Sequence, residues 1–114
     1  MRTFFLISFA VIASFCNTAN GFSQSNNAIR ENLPLDSIRL SDPFVFADNA
    51  SKTYYMTGTG GRLWKSKDLA LWTGPYKPFV VDPESWMGPS PMVWAAEIHK
   101  YKGKYYFFAT FTKN

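Results

Sequence analysis

The sequence predicts an all-β fold assembled from repeated small sheets, and three observations carry that expectation. From residue 38 onward, short aromatic and β-branched runs alternate with turns rich in Gly, Asn and Ser. No helical periodicity of convincing length follows the first 21 residues. The run Tyr54-Tyr55-Met56 returns as Tyr105-Tyr106-Phe107 at an offset of 51, each time behind a hairpin turn. Propeller blades are four-stranded and recur at about 40–50 residues, so one blade and the first half of another fit the chain. Two similar hairpins in an ordinary sandwich would produce the same repeat.

Taken in order, residues 1–21 read as a secretory signal peptide. Met1-Arg2-Thr3 is a short basic start, Phe4 to Phe15 is almost unbroken apolar, and Ala19-Asn20-Gly21 offers small residues at a cleavage site. The apolar stretch is too short for comfortable membrane spanning, so no stable membrane insertion is expected, and the protein is placed outside the cytoplasm, secreted or periplasmic. Lipid anchoring at Cys16 is disfavoured because Phe15 stands where a small residue is needed. Cleavage after Gly21 removes the sole cysteine, leaving a mature chain without disulfides.

Residues 22–37, rich in Ser and Asn and without periodicity, read as an N-terminal extension ahead of a domain over 38–114. Within that domain Phe44-Val45-Phe46 is a first strand and Thr53–Thr57 a second. Arg62–Ser66 is a third, and Lys67–Trp72 supplies a turn and the start of a fourth. Thr73 to Pro91 carries five prolines and reads as a long loop. Strand character resumes at Val93–His99, and a tight turn at Lys102-Gly103 leads into Lys104–Thr110.

The net charge of +4 raises the question of nucleic acid, above all where lysines interleave with aromatics over His99–Phe108. Those lysines bracket a turn, where they are expected to be solvated, and the remaining cations are scattered; no nucleic-acid partner is expected. A lone His99 without a second His or Cys in the mature chain gives no metal motif.

Chemistry points instead to carboxylates. Asp42 precedes Pro43 at the start of the first strand, a position biased toward extended backbone and able to aim a carboxylate inward. Glu97 lies in an otherwise apolar strand, where a charge requires a partner or a wet cavity. Allowing two extra residues in the first hairpin, the repeat sets Ala95 opposite Asp42 and Glu97 close by. Trp94 and Trp86 offer flat surfaces for sugar rings, whereas Trp64 and Trp72 are expected to pack within the blade. Asp48, Asp68 and Asp82 sit among turn residues and read as turn aspartates.

Three segments together, Ile38–Phe44, Ser66-Lys67-Asp68-Leu69-Ala70-Leu71-Trp72 and Trp94–Tyr106, resemble the N-terminal part of glycoside hydrolase family 43. The resemblance spans about Ile38 to Asn114. It implies a five-bladed β-propeller acting on arabinose- or xylose-containing polysaccharides (arabinanase, arabinofuranosidase and β-xylosidase activities) by an inverting reaction. It assigns Asp42 as the general base and places Trp94 and Glu97 on the second-blade strand that lines the central pocket. Ala96 stands where the family often has proline. The general acid and the carboxylate that modulates it belong to later blades, so the segment alone is expected to be inactive. No cofactor is required for the chemistry; a structural calcium is compatible with the full-length protein. The alternative from a different class is a non-catalytic carbohydrate-binding propeller.

Overall fold

The computed structural model describes residues 28–114; the signal-peptide residues, Cys16 and the first part of the extension lie outside them. Seven strands follow in order: β1 (Arg30–Pro34), β2 (Phe44–Asp48), β3 (Thr53–Thr57), β4 (Leu63–Ser66), β5 (Leu71–Tyr76), β6 (Met92–Tyr101) and β7 (Lys104–Thr112). Strands β2 to β5 form an antiparallel meander, with β1 added outside β5 in the order β1-β5-β4-β3-β2. Strands β6 and β7 form a separate hairpin. The all-β expectation holds, with a blade and the first half of another. No helix among the described residues is long and apolar enough to cross a membrane.

Each turn of the meander has a chemical reason. Between β2 and β3, Asp48 accepts from the Ala50 amide (3.3 Å) and the Ser51 hydroxyl (2.6 Å), closing the turn. Between β4 and β5, Asp68 Oδ1 accepts from the amides of Ala70 and Leu71, both at 2.9 Å. The Ser66 hydroxyl bonds the Leu71 carbonyl at 2.7 Å and accepts from the Leu69 amide at 2.9 Å. Leu69 carries a left-handed φ of 66°, and its carbonyl receives the Trp72 indole N–H at 3.1 Å. The Ser-Lys-Asp-Leu-Ala-Leu-Trp segment is thus a self-bonded turn that sets Trp72 into the blade. Those amide bonds favour the ionised Asp68 and lower its pKa. The β6–β7 turn uses Lys102 (φ 47°) and Gly103 (φ 76°), the two positive dihedrals of a type I′ hairpin.

The blade core is Leu33, Met56, Trp64 and Trp72, with Ile38, Leu40 and Tyr54 packed against it. Trp64 and Trp72 therefore pack as expected from sequence. Two boundaries differ from expectation. Residues 30–34, read as part of the extension, pair with β5, with Leu33 opposite Trp72. Only Leu33 of that strand is buried, so an edge strand of this kind shows no alternation to read. The fourth strand runs on to Tyr76 through Gly74-Pro75, so the Pro-rich connection begins at residue 77 rather than 73. Proline is tolerated there because the β4–β5 register shifts between Leu63 and Lys65, relaxing the ladder. Gly74 is required by space, since a Cβ would lie 2.7 Å from Trp64 Cδ1 and 2.8 Å from the Leu63 carbonyl oxygen.

The hairpin docks on the blade through Phe46 and Tyr55 against Tyr105, and Phe79 of the Pro-rich connection packs on Phe107 and Phe111. It also docks through one buried charge. The Asp48 carboxylate, 4% exposed, receives Lys100 Nζ at 2.9 Å and the Tyr105 hydroxyl at 2.5 Å. Asp48 keeps its expected turn role and adds a second, whereas Lys100 departs from its expected role as a solvated cation: together they tie the two sheets. The hydrogen bonds from Ser51, Tyr105 and Lys100 hold the Asp48 carboxyl far below the usual aspartate range. The same carboxylate raises the pKa of Lys100 and of Tyr105.

Candidate active site

Asp42 stands immediately before β2, the strand nearest β6 across the gap between the sheets. Its backbone is left-handed (φ 51°), not the extended conformation that the following proline predicts. An aspartate tolerates this region better than most residues, yet strain of this kind persists only where surrounding contacts impose it. Here the turn after β3 imposes it. The Thr59 amide donates to the Ser41 carbonyl at 3.0 Å. The Thr59 hydroxyl donates to Asp42 Oδ2 at 2.8 Å and accepts the Ala95 amide at 3.1 Å. One residue further, the Gly60 amide donates to the Val93 carbonyl at 2.8 Å. Asp42 is itself exposed, so its carboxylate is open to water.

On the second sheet, β6 is interrupted by a bulge between Trp94 and Glu97, opposite Thr110 and Phe108 of β7. Ala95, with φ 43°, is the extra residue. The bulge has a direct consequence for the site. In an unbroken strand, residues three apart point to opposite faces. With one residue looped out, Val93, Ala96 and Ile98 are all buried, while Trp94, Glu97 and His99 share the exposed face. Ala96 has no exposed surface at all. Trp94 is 43% exposed and anchored by its indole N–H to the Thr112 hydroxyl at 3.0 Å. Glu97 Oε2 lies 2.8 Å from His99 Nε2, and both line a shallow concavity with Tyr106 and Phe108. Trp86 projects from the Pro-rich connection at 70% exposure.

The structure thus brings Asp42 and Ala95 together through Thr59, a contact beyond the equivalence of position that the repeat implies, and Trp94 and Glu97 flank the Ala95 bulge. No hydrogen bond or ion pair among the described residues joins Asp42 to either of them. Thr59 escaped the sequence reading. It looks like one more small residue in a Gly-Thr-Gly-Gly turn, and its only distinguishing signal is its place one turn from the Asp-Pro strand. Among the described residues no three His, Cys, Asp or Glu side chains converge.

Comparison with known proteins agrees with this architecture. The model of glycosyl hydrolases family 43 matches residues 32–114. Among solved structures, the chain is similar to an endo-arabinase from Bacteroides thetaiotaomicron VPI-5482, with 32% identity and a TM-score of 0.63. That similarity covers 73% of this chain and 30% of the endo-arabinase chain. The search of curated proteins gave no match. A blade and a half of propeller, with Asp-Pro opening the first inner strand and a bulged Trp-Ala-Ala-Glu strand opening the next, places this chain in glycosyl hydrolases family 43.

Proposed function

We propose that these residues form the first part of an inverting glycoside hydrolase acting on arabinose-containing polysaccharides, with Asp42 as general base. The observation that carries this reading is the exposed Asp42 carboxylate at the head of the inner strand, gripped on one oxygen by Thr59. Asp42 accepts a proton from water as that water attacks the anomeric carbon. In an inverting site the acid stands about 6.5–9.5 Å from the base, across the sugar. Glu97 is held by His99 in the second sheet and is read as a substrate-binding group beside Trp94, not as the acid. The likeness to an endo-arabinase favours arabinose over xylose as the sugar recognised.

The acid and its modulating carboxylate are assigned to later blades of a longer protein, consistent with the 30% of the endo-arabinase that this chain spans. General acid–base assistance contributes about 10²–10⁴-fold per group, so the segment alone has negligible turnover. Residues 1–21 are read as its export signal, directing the enzyme to the periplasm or the medium, where the polysaccharide is met. The test is Asp42→Asn in the full-length protein, assayed on arabinan and on aryl arabinosides. Hydrolysis is expected to vanish while polysaccharide binding persists; retained turnover would remove Asp42 from the base role, and no turnover even in the unmodified full-length protein would favour a binding propeller.

A further inference from the structure

We infer that Thr59 is the positioning residue of Asp42, fixing which carboxylate oxygen meets the attacking water and making that orientation depend on docking of the second sheet. This rests on the reading of Asp42 as general base. A threonine hydroxyl has one proton and two acceptor sites. The Ala95 amide, 3.1 Å away, can only donate, so it occupies an acceptor site of Thr59 Oγ1. The single hydroxyl proton is then free to serve Asp42 Oδ2 at 2.8 Å. Oδ2 is engaged, and Oδ1 receives no hydrogen bond from the described residues and remains for water.

The alignment is built from both sides. The left-handed turn at Asp42 (φ 51°) brings its carboxylate to Thr59, and the left-handed bulge at Ala95 (φ 43°) turns its amide toward the same hydroxyl. Thr59 is tied to the strand it serves by its own amide on the Ser41 carbonyl, and its neighbour Gly60 is tied to Val93. Thr59 is half-buried, and three hydrogen bonds, through its amide and its hydroxyl, hold it in place beside the exposed Asp42. The two unusual backbone positions of the site therefore converge on one oxygen atom, which no other role of Thr59 accounts for.

The experiment compares Thr59→Val, Thr59→Ser and Asp42→Asn in the full-length protein, with kcat and KM on arabinan and a circular-dichroism melt for each. Valine keeps the shape and removes the hydroxyl; serine restores it. Thr59→Val is expected to lower kcat about 10- to 100-fold with KM within about twofold, as for a lost charge-assisted alignment. Thr59→Ser is expected to recover kcat to within about threefold of the parent. If Asp42→Asn is inactive but Thr59→Val retains parental kcat, the inference fails while the base assignment stands. If Asp42→Asn is active, the base assignment fails and the inference with it. A rise in KM matching the fall in kcat, or no recovery by serine, overturns the positioning role in favour of a structural one. Should the valine variant not fold, serine decides alone: near-parental kcat supports the inference, and a loss like that of Asp42→Asn refutes it.

Discussion

Gly58→Ala probes the support beneath the candidate base most directly. Gly58 is buried at the end of β3, and an added Cβ would lie 2.6 Å from the Ser41 carbonyl oxygen and 2.8 Å from that of Asp42. A third neighbour, Leu40 Cγ, would be 3.0 Å away. The two closest atoms are backbone, so no rotamer change relieves them. Ordinary contact for a Cβ begins at 3.4 Å, so the Ser41–Asp42 backbone must retreat by about 0.8 Å, close to the ~1 Å displacement that can cost roughly 10²-fold in rate. Overpacking of a fitted interior adds about 1–3 kcal/mol of destabilisation. In the full-length protein the variant should lose kcat on the order of 10²-fold, and its urea-unfolding free energy should fall by that ~1–3 kcal/mol. A variant with parental kcat and parental stability would show that Asp42 does not depend on close backing by β3.

Further perturbations test the frame around the site. Trp72→Ala, at a side chain 2% exposed in the blade core, should cost about 3–5 kcal/mol in chemical denaturation. Ser66→Ala strips a buried hydroxyl from the self-bonded turn and leaves the Leu69 amide unpaired; a loss of about 1–3 kcal/mol is expected. Lys100→Met leaves Asp48 without its cation between the sheets, so the melting temperature should fall at neutral pH more than for the exposed Lys102→Met. The depressed Asp48 pKa predicts stability that is full above the ordinary aspartate pKa of about 3.9 and lost as pH falls toward the folded-state value. The raised Lys100 pKa acts in the opposite direction: its contribution is present below about 10.4 and lost as pH rises through the folded-state value. Melts from acid to alkaline pH should show both limbs in the parent, and Lys100→Met should flatten them.

Much of this architecture was legible because local chemistry and global fold agree. Turn residues, aromatic strands and the 51-residue repeat marked the hairpins, and Trp64 and Trp72 announced a core by their surroundings. The misread portions have a common cause: they depend on contacts distant in sequence. β1 has a single buried residue and becomes a strand only because β5 offers an edge. Lys100 looks solvated until the hairpin delivers it to Asp48, 52 residues earlier. Asp42 contradicts the local preference that Pro43 imposes because Ser41 and Asp42 are both gripped by Thr59. The bulge at Ala95 leaves only a weak trace, two small residues between Trp94 and Glu97, yet it decides that these two side chains share a face.

The meander of β2 to β5 also sets an order of assembly. Its pairings join strands adjacent in sequence, the kind of contact that forms early because little chain entropy is lost in closing each loop. During synthesis that sheet is complete once Tyr76 has emerged, while the partners of Asp48 and Thr59 at Lys100 and Ala95 are still to come. The scaffold of the candidate site is thus ready first, and the Ala95 amide reaches Thr59 last. A variant slowed in docking its second hairpin would pass through a state with native blade structure and an unformed Asp48–Lys100 tie, visible as burial of the blade tryptophans preceding the docking of Tyr105 in a refolding time course.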